Sequence, residues 1–265
     1  MKITSLWAIG VFCCFMGVGC QNEEKRQEKA RIEAQQTLER ERIEQEKKAE
    51  EEKIRQEKLA ETEKIINKAN ETIALLKPHF KYEKDKFNNH AWYTHKNYSS
   101  LVNTIEAYIN QNPHGHNILK VRSVYWGSNW IFHEKIIVKI EGTVKEFIGE
   151  TKREADYGGV YESIAVKLPV REYRDALRKM EDSNTDSIDS LNNYIALQNR
   201  ESDLVSSLVS FIASNPSAVV DVRLEGDKRL DFILSKSHHV AICETWDFYQ
   251  ALKIQEKVSK GEPIL

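Results

Sequence analysis

The sequence predicts an α+β protein: a long, charged N-terminal α-helix, then an antiparallel-sheet domain with helices gathered toward its C-terminal half. Three observations carry that expectation. An eleven-residue unit repeats four times between Arg31 and Ala74. A run of short β-branched and aromatic segments follows Pro78. Beyond Pro169 the apolar spacing changes from alternation to a helical period.

The repeats read RIEAQQTLERE, RIEQEKKAEEE, KIRQEKLAETE and KIINKANETIA. Each opens on a basic residue followed by isoleucine, at Ile32, Ile43, Ile54 and Ile65. Eleven residues make almost three whole turns, so these isoleucines stay near one line along a helix. No Gly or Pro occurs from Gln21 to Lys77, and Asn22–Lys77 carries 14 Lys or Arg against 15 Asp or Glu. Pairs such as Glu39/Arg42, Glu44/Lys48 and Glu61/Lys64 sit at helical-neighbour spacing, each contributing ~0.2–0.5 kcal/mol to an isolated helix. One isoleucine per three turns is a thin seam, so a lone arm and an oligomerising coiled-coil spacer both remain open. Only Ile65, Ala69, Ile73 and Leu76 form a true apolar stripe, suited to packing on the domain or on a twin.

Ahead of the helix, MKITSLWAIGVFCCFMGVGC has a short basic start and an apolar core too quickly followed by charge for a spanning helix. Gly17-Val18-Gly19-Cys20 resembles the lipobox of bacterial lipoproteins, although leucine is usual where Gly17 stands. The resemblance implies a signal peptide over 1–19 and acylation of Cys20, for instance with palmitate, as the first mature residue. It further implies an outer-membrane home, because Gln21 is not the aspartate that favours inner-membrane retention. Glu23-Glu24 resembles the acidic signal of some surface-exported lipoproteins, and the periplasmic and outer faces stay open. The expected organisation is a signal peptide over 1–19, a lipidated cysteine and charged helix over 20–77, and a globular domain over 78–265.

Pro78 ends the helix by forcing the residue before it out of helical geometry. Strand-like segments follow at HFKYEKDKF, HAWYTHK, LVNTIEAYINQ, NILKVRSVYW and WIFHEKIIVKIEG, with a weaker one over Val160–Val166. Gly127-Ser128-Asn129 reads as a hairpin connection, and Glu141-Gly142-Thr143 as a second one into VKEFIGE. VREYRDALRKM spaces Val170, Tyr173, Leu177 and Met180 as a helix, Leu191–Leu197 as another, and Glu201–Ser214 as a third. AVVDVRLEGDKRLDFIL is a hairpin turning at Glu225-Gly226-Asp227, and Ser235 caps a final helix.

From residue 78 onward 24 basic residues face 26 acidic ones, which excludes the basic excess that draws nucleic acid. Only Cys243 lies in the domain, so no intramolecular disulfide is expected there. No phosphate loop, nucleophile elbow or metal-protease motif is present, and no cofactor or metal ligand set is legible. His114 and His116 read as a turn, His238-His239 and His133-Glu134 point to opposite faces of their elements, and Asp182, Asp186 and Asp189 lack a calcium loop's glycine and closing glutamate. Trp92, Tyr93, Trp126 and Trp130 are the candidate binding residues: either a sheet core or a surface for a peptide, a glycan or a flat ring.

The segments AWYTHK, SNWIFHEKIIVKIEG and VDVRLEGDKRLDFILS resemble a domain of bacterial secreted proteins and lipoproteins, over about residues 80–234 with a longer insertion at Arg174–Glu201. That resemblance implies a fold and no activity. Together these features make a lipid-anchored envelope protein with a binding or scaffolding domain the leading expectation. An envelope hydrolase whose site forms only on folding, and an oligomerising spacer, are the alternatives.

Overall fold

A computed structural model describes residues 8–98, 103–156, 159–167 and 187–264, and over 8–24 only the course of the backbone. The expected helix over Val170–Met180 and the acidic loop after it lie outside the described residues. The chain divides into two units, Met1–Glu63 and Lys64–Leu265. Among the described residues no helix is long and apolar enough to cross a membrane.

Helix α1 spans Ala8–Leu76, starting within the apolar N-terminal stretch rather than at Gln21, since no proline interrupts it. Every side chain from Lys25 to Glu61 is exposed, including Ile32, Ile43 and Ile54. Two of the expected ion pairs close, Arg42–Glu39 at 2.9 Å and Lys48–Glu44 at 2.6 Å. The second unit begins inside the same helix. Ala69 and Leu76 are buried, Ile73 packs against the core, and Gln255 donates to Asn70 at 3.0 Å. The second unit thus begins at Lys64, and the apolar stripe of the last turns of α1 is used within it.

After a 3₁₀ turn at Lys77–His79, nine strands form one sheet: β1 (Phe80–Lys84), β2 (Ala91–His95), β3 (Thr104–Gln111), β4 (Asn117–Gly127), β5 (Lys135–Ile140), β6 (Thr143–Asp156), β7 (Gly159–Val166), β8 (Val220–Glu225) and β9 (Arg229–Ile233). Their order is β1-β2-β3-β4-β7-β6-β5-β8-β9, and every pairing is antiparallel. Strand β6 serves two neighbours: Thr143–Ile148 pairs with β5 and Gly149–Asp156 with β7. The changeover falls on Gly149, where a Cβ would collide with the Ala165 carbonyl oxygen.

The Glu141-Gly142 hairpin forms as expected, both residues having positive φ (48° and 84°), as a primed turn requires. The hairpin expected at Gly127-Ser128-Asn129 does not form: β4 pairs with β3 and β7, and β5 with β6 and β8. The expected strand from Trp130 starts only at Lys135, because the backbone amides before it are taken by a buried side chain described below.

Helix α2 spans Ser187–Ala213 as one element where two were expected, since no glycine or proline separates them. Helix α3 spans Lys236–Lys260; the Ser235 side chain accepts from the His238 amide, and Gly261 closes the helix at φ 68°. Phe248 of α3 is buried against the sheet, 4.6 Å from Phe80 and 5.4 Å from Tyr93 between ring centres.

Candidate functional site

The four aromatic candidates do not assemble into one surface. Tyr93 faces the core against Phe248, so Trp92 beside it points to the opposite face. Trp126 shares that face by alternation. In register, however, Trp92 aligns through Asn110 with Ile118, eight positions along β4 from Trp126, or roughly 26 Å at ~3.3 Å per residue. Trp130 lies outside the strands, half-buried against the core and 6.1 Å from Phe132. Cys20 lies on α1, but its side chain is outside the described residues.

Two other constellations emerge instead, both centred on histidine and glutamate. The first is sealed. Ser123 of β4, His133 and Glu162 of β7 are each inaccessible to solvent. Ser123 Oγ lies 2.9 Å from His133 Nε2, and His133 Nδ1 lies 3.2 Å from Glu162 Oε2. Because the Ile164 amide donates to Ser123 Oγ, the hydroxyl proton is free to point at Nε2, leaving the other ring proton on Nδ1 toward Glu162. The order of contacts is that of a Ser–His–Glu catalytic relay.

Glu162 also accepts the backbone amides of Ile131 (2.6 Å), Phe132 (3.0 Å) and His133 (3.1 Å). Phe132 has φ 52°, a conformation costing a non-glycine residue roughly 1–2 kcal/mol. It turns three successive N–H groups toward one carboxylate, an anion nest filled by the protein's own side chain. This is what consumes the amides of the expected strand. Burial opposes ionisation of Glu162, but the Ile131, Phe132 and His133 contacts hold its carboxyl below the ordinary range. Burial also lowers His133, despite the neighbouring carboxylate. The constellation's evident work is to pin an irregular segment to the sheet.

The second constellation is open. His79 comes from the turn after α1, His95 from the end of β2 and Glu244 from α3. One carboxylate oxygen, Glu244 Oε2, meets His79 Nδ1 at 2.6 Å and His95 Nε2 at 2.8 Å. His95 is buried between the rings of Phe80 and Tyr98, 5.1 and 6.1 Å away. The side chains of His79 and Glu244 are 46% and 24% exposed, so water reaches the cluster from one side. The Asn97 amide donates to His95 Nδ1 at 3.1 Å, which places the ring proton on Nε2, toward the glutamate. Burial disfavours the ionised Glu244, yet the two histidine hydrogen bonds outweigh it and keep the carboxyl below its usual value. Among the described residues these three form the one group of histidine, cysteine or carboxylate donors close enough to share an ion.

Sequence reading missed both. His79 and Glu244 are separated by 165 positions and His95 and Glu244 by 149, and no local spacing links them. A cleft of about 810 Å³ lies apart from these sites, lined by His116, Lys120, Lys167, Glu201, Tyr249 and Lys253 among others. Its lysines are engaged with carboxylates: Lys120–Glu201, Lys167–Glu150 and Lys253–Glu256 at 3.0, 2.8 and 3.1 Å.

No family model, curated protein or solved structure shows a significant match to the chain.

Proposed function

We propose that this chain is a lipid-anchored protein of the bacterial cell envelope, acylated at Cys20 and placed at the outer membrane, whose α+β domain works by binding or scaffolding. The observation that carries the proposal is the apolar core ending in Gly17-Val18-Gly19-Cys20 directly ahead of a charged helix. Acyl chains contribute ~0.8 kcal/mol per buried CH₂, so a multiply acylated cysteine holds a polar protein firmly at a bilayer. The exposed charged face of α1 from Lys25 to Glu61 supports its role as an arm, since none of those side chains is used in packing within the chain. A binding role is favoured over hydrolysis because the one serine–histidine relay among the described residues is closed to substrate. The partner class is a protein or glycan.

Growth of cells with labelled palmitate tests the proposal. Wild-type protein is expected to carry the label and to begin at Cys20 after processing, and Cys20→Ser to be neither labelled nor cleaved. A wild-type protein without label and with a different mature N-terminus would sink the anchor.

A second role for the arm, self-association, is supported by Ile32, Ile43 and Ile54, which are 45%, 42% and 44% exposed on one line. Sedimentation of a peptide over Arg31–Glu63 separates the two: a monomer leaves a lone arm, whereas a stable dimer or trimer makes it a spacer.

A further inference from the structure

Folding brings His79 Nδ1, His95 Nε2 and a Glu244 oxygen to within 4.8 Å of one another, Glu244 lying 165 and 149 positions from the two histidines. We propose that His79, His95 and Glu244 bind a divalent transition-metal ion of the zinc, cobalt or nickel class. Two imidazoles and one carboxylate suit such ions, whereas calcium and magnesium take oxygen ligands. Three protein ligands leave a fourth tetrahedral position for water or a substrate atom.

The surroundings fit that arrangement. Phe80 and Tyr98 pack on His95 and exclude water from the inner side. The half-exposed His79 leaves an entry path on the outer side. Asp247, one turn beyond Glu244 on α3, is an exposed carboxylate that feels Glu244; burial and Glu244 raise its carboxyl, while Lys68 acts against that rise.

The protons must move for an ion to enter. Two nitrogens now touch one oxygen at 2.6 and 2.8 Å, closer than ligands of one ion sit, about 3.3 Å apart for ~2.0–2.1 Å tetrahedral bonds. Ligation therefore opens the cluster by roughly half an ångström and transfers each ring proton to the ring's other nitrogen. For His79 that nitrogen belongs to a half-exposed ring. For His95 it is Nδ1, which accepts the Asn97 amide at 3.1 Å, so that peptide must turn aside. The Asn97 contact thus opposes the metal-bound state, and only ions with strong imidazole affinity overcome it.

The test uses the full chain in detergent, titrated with Co²⁺, whose visible absorption reports nitrogen and oxygen ligation, followed by competition with Zn²⁺. The expected result is one saturable equivalent of cobalt, displaced by zinc. His79→Ala alters a half-exposed side chain and leaves the core intact. It should weaken binding by at least the ~10–100-fold that loss of a ligand's outer partner costs. Glu244→Gln and His95→Ala should abolish the spectrum, with circular dichroism as the check on folding. If either fails to fold, His79→Ala still decides. No saturable cobalt spectrum in the wild-type protein, or one unchanged by His79→Ala, overturns the site.

Discussion

The sealed Ser123–His133–Glu162 network and the open His79–His95–Glu244 cluster use nearly the same side chains within one folded unit, and differ chiefly in access to water. Glu162 is inaccessible and receives three backbone amides and an imidazole. Glu244 is partly exposed and receives two imidazoles and no backbone amide among its described bonds. A sealed carboxylate that bonds the main chain is built into the fold, and replacing it exposes several donors to an environment that cannot solvate them. An open carboxylate that bonds only side chains can exchange its partners for a proton or an ion. Relay geometry without access therefore speaks for structure, and a side-chain cluster with access for binding.

The comparison can be broken most forcefully by stability measurements. Glu162→Ala leaves three amides and His133 without their acceptor, and Arg153 without the carboxylate 3.6 Å from its Nε, and should cost about 3–5 kcal/mol. Glu244→Ala leaves one buried imidazole N–H and one half-exposed one, and should cost about 1–3 kcal/mol. Chemical denaturation of the two variants gives both numbers. A Glu162→Ala loss no larger than the Glu244→Ala loss would contradict the distinction drawn between them.

The pH dependence sharpens it further. Burial holds His133 below its ordinary value in the folded chain, so the unfolded chain binds that proton first. The stability contributed is present above about pH 6.5 and is lost as the pH falls through the folded value. Glu162 is also depressed, so its contribution is present above its ordinary carboxylate range and is lost at lower pH still. His133→Asn should be less stable than wild type at pH 7, yet lose less stability between pH 7 and pH 5. His238, lowered chiefly by its own burial, titrates in both proteins and cancels from the difference. Equal losses in the two would show that His133 binds its proton alike in the folded and unfolded chains, which contradicts the burial argument.

The smallest expected effect is none at all. Ser123 has the hydrogen-bond order of a nucleophile and no exposed surface, so a fluorophosphonate probe should not label it in the native protein. Labelling that disappears in Ser123→Ala would show that the network opens, and would restore the hydrolase alternative.

Local features of the sequence were enough for the α+β class and for much of the element order. The eleven-residue isoleucine spacing and the lack of glycine and proline from Gln21 to Lys77 specify the charged length of α1, because helix formation depends on neighbours within a turn or two. Glu141-Gly142, Glu225-Gly226-Asp227 and Ser235 mark two hairpins and a cap for the same local reason. What reaches across the chain was decided only in three dimensions. That β4 joins β7 rather than β5, and that Glu162 of β7 captures the amides of residues 131–133 from about thirty positions away, are contacts no local pattern encodes. That the end of α1 belongs to the folded unit depends on Ala69 and Leu76 finding the core. His79, His95 and Glu244 meet because β1–β2 pairing and the packing of α3 on the sheet bring them together. Propensity and periodicity act over a few residues, whereas a site is a matter of distance through space, which the order of residues does not fix until the sheet has closed.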